Sequence, residues 1–217
     1  MTDLVIFDVD GTLVDSQGHI MASMVRAFET CGLPAPDRAT AMGQVGRSLD
    51  LVMAELAGPA QADALADAYR AAYFELRQSG EPSPLYPGTE EMLAALAARP
   101  GTLVALATGK SRRGLNALIE SYGWGDMLAS HQSADEHPSK PHPSMILTVL
   151  ADTGADPACT VMVGDTSYDI DMARNAGVGS IAVPWGYHDA QSLGADRAIA
   201  EWADLPAALS SLWEIAP

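Results

Sequence analysis

Asp8 and Asp10 flank a single valine directly after the apolar run Leu4-Val5-Ile6-Phe7, and Gly11-Thr12 follow them. A short buried strand that ends in two carboxylates puts anionic oxygens at the mouth of a sheet, where open α/β folds bind their ligands. Carboxylates in such a place need a cation, a proton or water to balance them. The first can attack phosphorus as a nucleophile. The second, two residues on, can hand a proton to a leaving group and later take one from water. Gly11 lets the backbone turn sharply, and Thr12 can tie that turn down by hydrogen bonding. Taken alone, Asp-x-Asp-Gly is equally an ordinary turn.

Three further segments supply what a metal-assisted phosphate site needs. Ala107-Thr108-Gly109-Lys110 follows the apolar run Leu103–Leu106. Its hydroxyl, its glycine amide and a helix expected to begin near Ser111 make a phosphate cradle; a plain helix cap by Thr108 or Ser111 is the competing reading. Lys140-Pro141-His142-Pro143 presents an ammonium from a stiff loop, suited to phosphate and to a carboxylate nucleophile. The chain contains only two lysines, Lys110 and Lys140, so a surface role for Lys140 loses weight. Gly164-Asp165-Thr166-Ser167-Tyr168-Asp169 follows the run Thr160–Val163. Asp165 and Asp169 lie about one helical turn apart and can face one cavity, although Asp165 as a helix N-cap competes. With Asp8 and Asp10 they would put four carboxylates in one crevice. Two bare charges ~4 Å apart repel by about 4 kcal/mol at an effective dielectric near 20. An all-oxygen site of this kind favours Mg²⁺.

These segments need a scaffold that brings strand ends together. The runs Leu4–Phe7, Leu103–Ala107, Thr160–Val163 and Ser180–Val183, with Met127–Ser130 a weaker fifth, are continuous rather than alternating, as in strands covered on both faces. Helical spacing separates them, in Leu115, Leu118, Ile119, Tyr122 and again in Met145, Ile146, Val149. The alternation predicts an α/β fold, a three-layer Rossmann-like parallel sheet with right-handed crossovers. Residues 15–85 contain no strand pattern, and their apolar spacing is helical (Ile20, Met24, Phe28; Leu65, Tyr69, Tyr73). They are expected to form an inserted helical cap domain over the first strand's mouth, closed by a turn-rich linker at residues 80–84, with 1–14 and 86–217 as the core domain.

Bulk properties narrow the partners. With 217 residues and 48% apolar content the chain can bury a sizeable core. A net charge of −16 argues against nucleic acid, and an anionic small substrate would need a local positive centre. Cys31 and Cys159 have neither metal-ligand spacing nor a disulfide framework and are expected as two buried, reduced thiols. No signal-like or membrane-spanning stretch is evident, so a cytoplasmic protein that avoids membranes is expected.

The ordered set Asp8-Val9-Asp10-Gly11-Thr12, Thr108, Lys140-Pro141-x-Pro143 and Gly164-Asp165-x-x-x-Asp169 resembles the haloacid dehalogenase superfamily of phosphohydrolases. It is most similar to the branch with a helical cap between the first and second motifs, typified by phosphoglycolate phosphatases. The match runs through Trp185-Gly186-Tyr187 and covers nearly the whole chain. The resemblance implies an aspartyl-phosphate on Asp8 and acid/base work by Asp10. It implies Mg²⁺ held by the Asp8 side chain, the Asp10 backbone carbonyl and Asp165, with Asp169 supporting the metal's water shell. Thr108, Gly109 and Lys140 would bind the phosphoryl group; many relatives carry asparagine where this chain has Gly109, which removes a side-chain contact there. Resemblance also places a specificity loop at Gly43–Ser48, where Arg47 would hold a carboxylate or distal phosphate, or else sits exposed near a helix start.

Within that family Asp10 argues against a dehalogenase, which has no alkoxide to protonate. The absence of lysine from 15–85 argues against phosphonate cleavage through a Schiff base. The expectation is a Mg²⁺-dependent phosphomonoester hydrolase acting on a small phosphorylated metabolite, phosphoglycolate-like by resemblance, as a monomer or homodimer. A sugar-phosphate mutase or a pyrophosphatase of the same superfamily is the near alternative. A phospho-accepting signalling domain is the alternative from another class, opposed by Asp10 and by the large insertion.

Overall fold

Strands β1 (Asp3–Phe7), β2 (Thr102–Thr108), β3 (Leu128–Ser133), β4 (Thr160–Gly164), β5 (Gly179–Ala182) and β6 (Arg197–Ala198) form one six-stranded sheet. This computed structural model describes residues 2–79 and 83–213. The strand order is β3-β2-β1-β4-β5-β6 and every neighbouring pair is parallel. The chain leaves β1 for β2 on one side and returns to β4 on the other, so the order reverses at β1. The crevice beyond the C-terminal ends of β1, β2 and β4 is therefore where such a sheet binds its ligand.

Period-two alternation along the strands builds the layers. Val5, Phe7, Val104, Leu106, Val161 and Val163 pack on one face, beneath helices α5 (Thr89–Ala97), α6 (Arg112–Tyr122) and α9 (Leu205–Trp213). Leu4, Ile6, Ala105, Ala107 and Met162 pack on the other, beneath α7 (Ser144–Thr153) and α8 (Ser167–Ala176). Burial on both faces explains why these strands read as unbroken apolar runs. The predicted strand at Ser180–Val183 runs from Gly179 to Ala182, and the weak signal at Met127–Ser130 is strand β3, shifted toward Ser133. Strand β6 was not expected; with two residues at the sheet edge it has no apolar run to reveal it.

Four helices fill the segment between β1 and α5: α1 (Gln17–Thr30), α2 (Arg38–Met42), α3 (Leu49–Ala57) and α4 (Pro59–Ser79). They bury their own cluster, centred on Ile20, Met24, Phe28, Met53 and Leu65. Their two connections to the core run side by side, through the Val14–Leu85 bridge and a 2.8 Å hydrogen bond from Asp15 N to the Pro84 carbonyl. The turn-rich linker read at 80–84 has residues 80–82 outside the described residues. Neither cysteine is in a disulfide among the described residues, but only Cys159 is buried; Cys31 caps the end of α1 half-exposed, so the expectation of two buried thiols is corrected. Among the described residues no helix is long and apolar enough to cross a membrane.

Candidate active site

Asp8 is the first residue past β1, and its amide donates to the Val163 carbonyl of β4 at 3.0 Å, which fixes it where β1 and β4 end together. Asp165 follows β4, and Asp169 lies in the first turn of α8. One carboxylate oxygen from each of Asp8, Asp165 and Asp169 falls within a mutual 4.8 Å, and all three residues are buried. Residues 8 and 165 thus meet despite their separation in sequence. The fourth carboxylate, Asp10, is not in this cluster: its Oδ1 lies 2.8 Å from Lys110 Nζ and accepts from Ser16 Oγ at 2.5 Å. Within the crevice the four carboxylates expected from the sequence thus divide into a triad and a separately balanced neighbour, because Lys110 supplies Asp10 with its own counter-charge.

Lys140 is the cation of the triad. Its Nζ donates to Asp8 Oδ1 at 2.6 Å and to Asp169 Oδ1 at 2.7 Å, and its side chain is fully buried. Asp169 Oδ2 closes a capping box on α8, accepting from the Thr166 amide at 3.0 Å and the Thr166 hydroxyl at 2.7 Å. The cap is therefore Thr166, not Asp165. Thr12 does not tie down its own turn with its hydroxyl. It donates across the sheet to Asp165 Oδ1 at 2.9 Å, while the Tyr187 amide donates to Asp165 Oδ2 at 2.8 Å. A β-carbon on Gly11, whose φ is +86°, would overlap the Asp165 carboxylate and the Tyr187 ring. Gly186 is confined in the same way. The two glycines let both chain segments press against Asp165.

Burial pushes the Asp8 carboxyl up to about 7; Lys140 pulls it back only in part, and the nearby charges of Asp169 and Asp10 add to the rise. Asp165 is raised well above the usual carboxylate range by burial, then by the charges of Asp169 and Asp8. Burial alone would lower Lys140, but the carboxylates of Asp169 and Asp8 outweigh it, so the ammonium is firmly held. One cation among three buried carboxylates leaves the cluster under-neutralised. Asp8 Oδ2 is buried without a hydrogen-bond partner. Buried polar atoms are nearly always paired, so this oxygen is an acceptor awaiting an electrophile.

Thr108 ends β2 and Gly109 follows it, both lining one cavity with Asp8. Thr108 is buried and its Oγ1 accepts from the Lys110 amide at 3.2 Å. The helix cap is Ser111, which accepts from the Gly114 amide at 3.2 Å, so Thr108 is not a cap. A cavity of about 750 Å³ opens above, with Asp8, Asp10, Thr108 and Gly109 on its floor. Its upper wall is helical and largely apolar, from Ile20, Met24, Tyr69, Tyr73 and Phe74. Arg47, Arg70, Arg77, Lys110 and Arg113 also line it, interleaved with Asp50 and Asp135, and Arg70 is already paired with Asp50 and Asp67. Arg113 lies over the Phe74 ring at 4.3 Å, whereas Arg112 points elsewhere and binds Glu136 and the His131 carbonyl.

The Gly43–Ser48 loop forms the cavity's rim. It is seated on the core by the Ser48 amide on Ser139 Oγ at 2.8 Å and the Tyr168 hydroxyl on the Gly43 carbonyl at 3.1 Å. Gly109 lies directly beneath, where a β-carbon would stand 2.8 Å from the Gly46 carbonyl oxygen and 2.9 Å from that of Arg47. Arg47 lines the cavity but is already engaged, with Glu55 Oε2 at 2.6 Å, Gln44 Oε1 at 2.5 Å and the Tyr168 ring at 5.7 Å. Sequence reasoning noticed Lys110 only for its rarity and missed its pairing with Asp10. It also missed Ser16, Tyr73 and Thr166, ordinary residue types that carry no signal until their contacts with Asp10, Lys110 and Asp169 are seen.

A parallel sheet carrying a carboxylate triad, a buried lysine and a helical lid-side cavity defines a class. Residues 5–183 match the family model described as haloacid dehalogenase-like hydrolase, and the chain belongs to that family. It is 37% identical over 199 residues to the probable phosphatase IndB of Dickeya dadantii, covering 89% of this chain and 86% of that protein. It is 34% identical over 221 residues to the phosphoglycolate phosphatase of Agrobacterium fabrum, covering 96% and 93%. A hydrolase from Pseudomonas syringae shares the fold over 100% of both chains, with a TM-score of 0.82 at 23% identity.

Proposed function

We propose that this protein is a Mg²⁺-dependent phosphomonoester hydrolase that works through an aspartyl-phosphate on Asp8 and acts on a small phosphorylated metabolite of the phosphoglycolate kind. The observation that carries the reading is the buried, unpartnered Asp8 Oδ2 within an under-neutralised carboxylate triad. A hard divalent cation fits this donor set of three carboxylates, whose charge the single Lys140 ammonium does not balance. Asp8 and Asp165 would hold it, with the Asp10 backbone carbonyl, while Asp169, occupied by Lys140 and Thr166, would act from behind. When bound, the ion supplies positive charge to the phosphoryl oxygens and to Asp8.

The chain's own residues then divide the work. The Asp8 carboxylate attacks phosphorus, and the bond from phosphorus to the ester oxygen breaks as Asp10 gives that oxygen its proton. Asp10 next takes a proton from the water that attacks the phosphorus of the aspartyl-phosphate, releasing inorganic phosphate and restoring Asp8. Lys140 keeps Asp8 oriented and offsets its charge throughout. The Thr108 hydroxyl and the Gly109 amide hold the phosphoryl oxygens. Helices α1–α4 act as the cap, and the cations at their end of the cavity meet an anionic metabolite there. That relatives are named phosphoglycolate phosphatase supports the substrate class.

The test is phosphate release from a panel of phosphorylated metabolites, including phosphoglycolate, pyrophosphate, nucleotides and sugar phosphates, with Mg²⁺ or with chelator. Mg²⁺-dependent multiple turnovers with preference for a small acid phosphate are expected. A single stoichiometric phosphorylation without turnover would contradict the proposal in favour of a switch.

A further inference from the structure

Each of the two lysines is buried against a site carboxylate. Lys140 serves the triad, while Lys110 serves Asp10. The Lys110 and Asp10 side chains are only 10% and 11% exposed, and Nζ also donates to the Tyr73 hydroxyl at 3.1 Å while lying 5.1 Å from that ring's centroid. Tyr73 belongs to α4, so one ammonium joins the core carboxylate to a helix of the cap segment. Ser16 Oγ donates to the same oxygen of Asp10, and also meets the Tyr187 hydroxyl at 3.0 Å. Two donors on Oδ1 fix the carboxyl plane and leave Oδ2 for the proton transfer.

We propose that Lys110 is a positioning residue for Asp10, and that through Tyr73 it makes this position depend on α4 being seated over the site; the proposal rests on the phosphatase reading above. Asp10 Oδ2 passes its proton to the ester oxygen as the bond to phosphorus breaks, and Lys110 neither gains nor loses a proton. A carboxyl swung away from the ester oxygen forfeits the general-acid contribution while leaving the attack by Asp8 in place. Losing Lys110 therefore hurts most when the leaving group needs that proton.

Phenyl phosphate and 4-nitrophenyl phosphate test this, since they are close in shape and only phenolate leaves poorly without protonation. The measured quantity is kcat/KM, which covers steps through phosphoryl transfer to Asp8. With Lys110→Met, about a 100-fold loss is expected on phenyl phosphate and about fivefold on the nitrophenyl ester. The ratio between the two thus moves about 20-fold. Because both esters are assayed on one preparation, the ratio does not depend on the fraction folded. Tyr73→Phe should move it in the same direction by about threefold, and Lys110→Arg should recover part of it. An unchanged ratio in Lys110→Met, with wild-type turnover intact, overturns the role of Lys110 alone. No turnover of any ester by the wild type overturns the phosphatase reading and this proposal with it.

Discussion

Lys140 pairs with Asp8 and Asp169 of the triad and leaves Asp165 without a cation of its own, and the imbalance has thermodynamic consequences. Asp8 rises from 3.8 to about 7 in the fold. Between those values the folded protein binds more protons than the unfolded chain, so stability contributed by this group is complete below the lower value and is lost as pH rises through the upper one. In chelator, the melting temperature should therefore fall between pH 5.5 and pH 8, and Mg²⁺ should flatten the slope. Asp165→Asn, which removes one of the crowded charges, should raise the melting temperature of the metal-free protein at pH 8 by a few degrees and abolish stabilisation by Mg²⁺. Equal slopes with and without Mg²⁺ in the wild type would show that the triad does not hold the ion. Lys140 behaves oppositely. Lys140→Met leaves buried charges unpaired and should cost about 3–5 kcal/mol in a denaturant titration; a loss below about 1 kcal/mol would contradict its place in the triad. The triad's members were legible at this scale because their spacing after apolar runs is distinctive. Lys110 on Asp10 and Thr12 on Asp165 were not, since a lysine or threonine becomes specific only through a partner more than 90 positions away.

Elements were legible in proportion to their burial. Strands β1, β2 and β4, covered on both faces, appear in the sequence as continuous apolar runs, and their ends carry the site. Strand β3 ends in Ser130, His131, Gln132 and Ser133, a polar stretch that hides a strand from a hydropathy argument. Strand β6 is too short to leave any pattern. The junction between core and cap was also invisible, because it depends on what is missing. Gly109 has no side chain, and the Gly43–Ser48 loop rests where one would stand. Gly109→Ala should lift that loop, raising KM about tenfold on the preferred substrate while kcat falls less. Steady-state kinetics check this, and an unchanged KM would mean that the rim does not close over substrate.

The whole molecule joins a sheet that gathers strand ends to a helical segment that roofs them, with a cavity of about 750 Å³ between. Net charge of −16 makes the cluster of Arg47, Arg70, Arg77, Lys110 and Arg113 at that cavity a local exception. An exterior this acidic is a poor match for the phosphate backbone of a nucleic acid. The fold class and the order of its motifs were open to sequence reasoning, since they rest on patterns repeated along the chain. The shape of the cavity was not, because it depends on how two packed units meet. The central claim is that Asp8 takes the phosphoryl group. Acid quench during turnover of phosphoglycolate with Mg²⁺, followed by peptide mass spectrometry, tests it directly. We expect a phosphate adduct on the peptide carrying Asp8, absent together with all turnover in Asp8→Asn. Turnover near the wild-type rate by Asp8→Asn, or an adduct on another residue, would contradict the account.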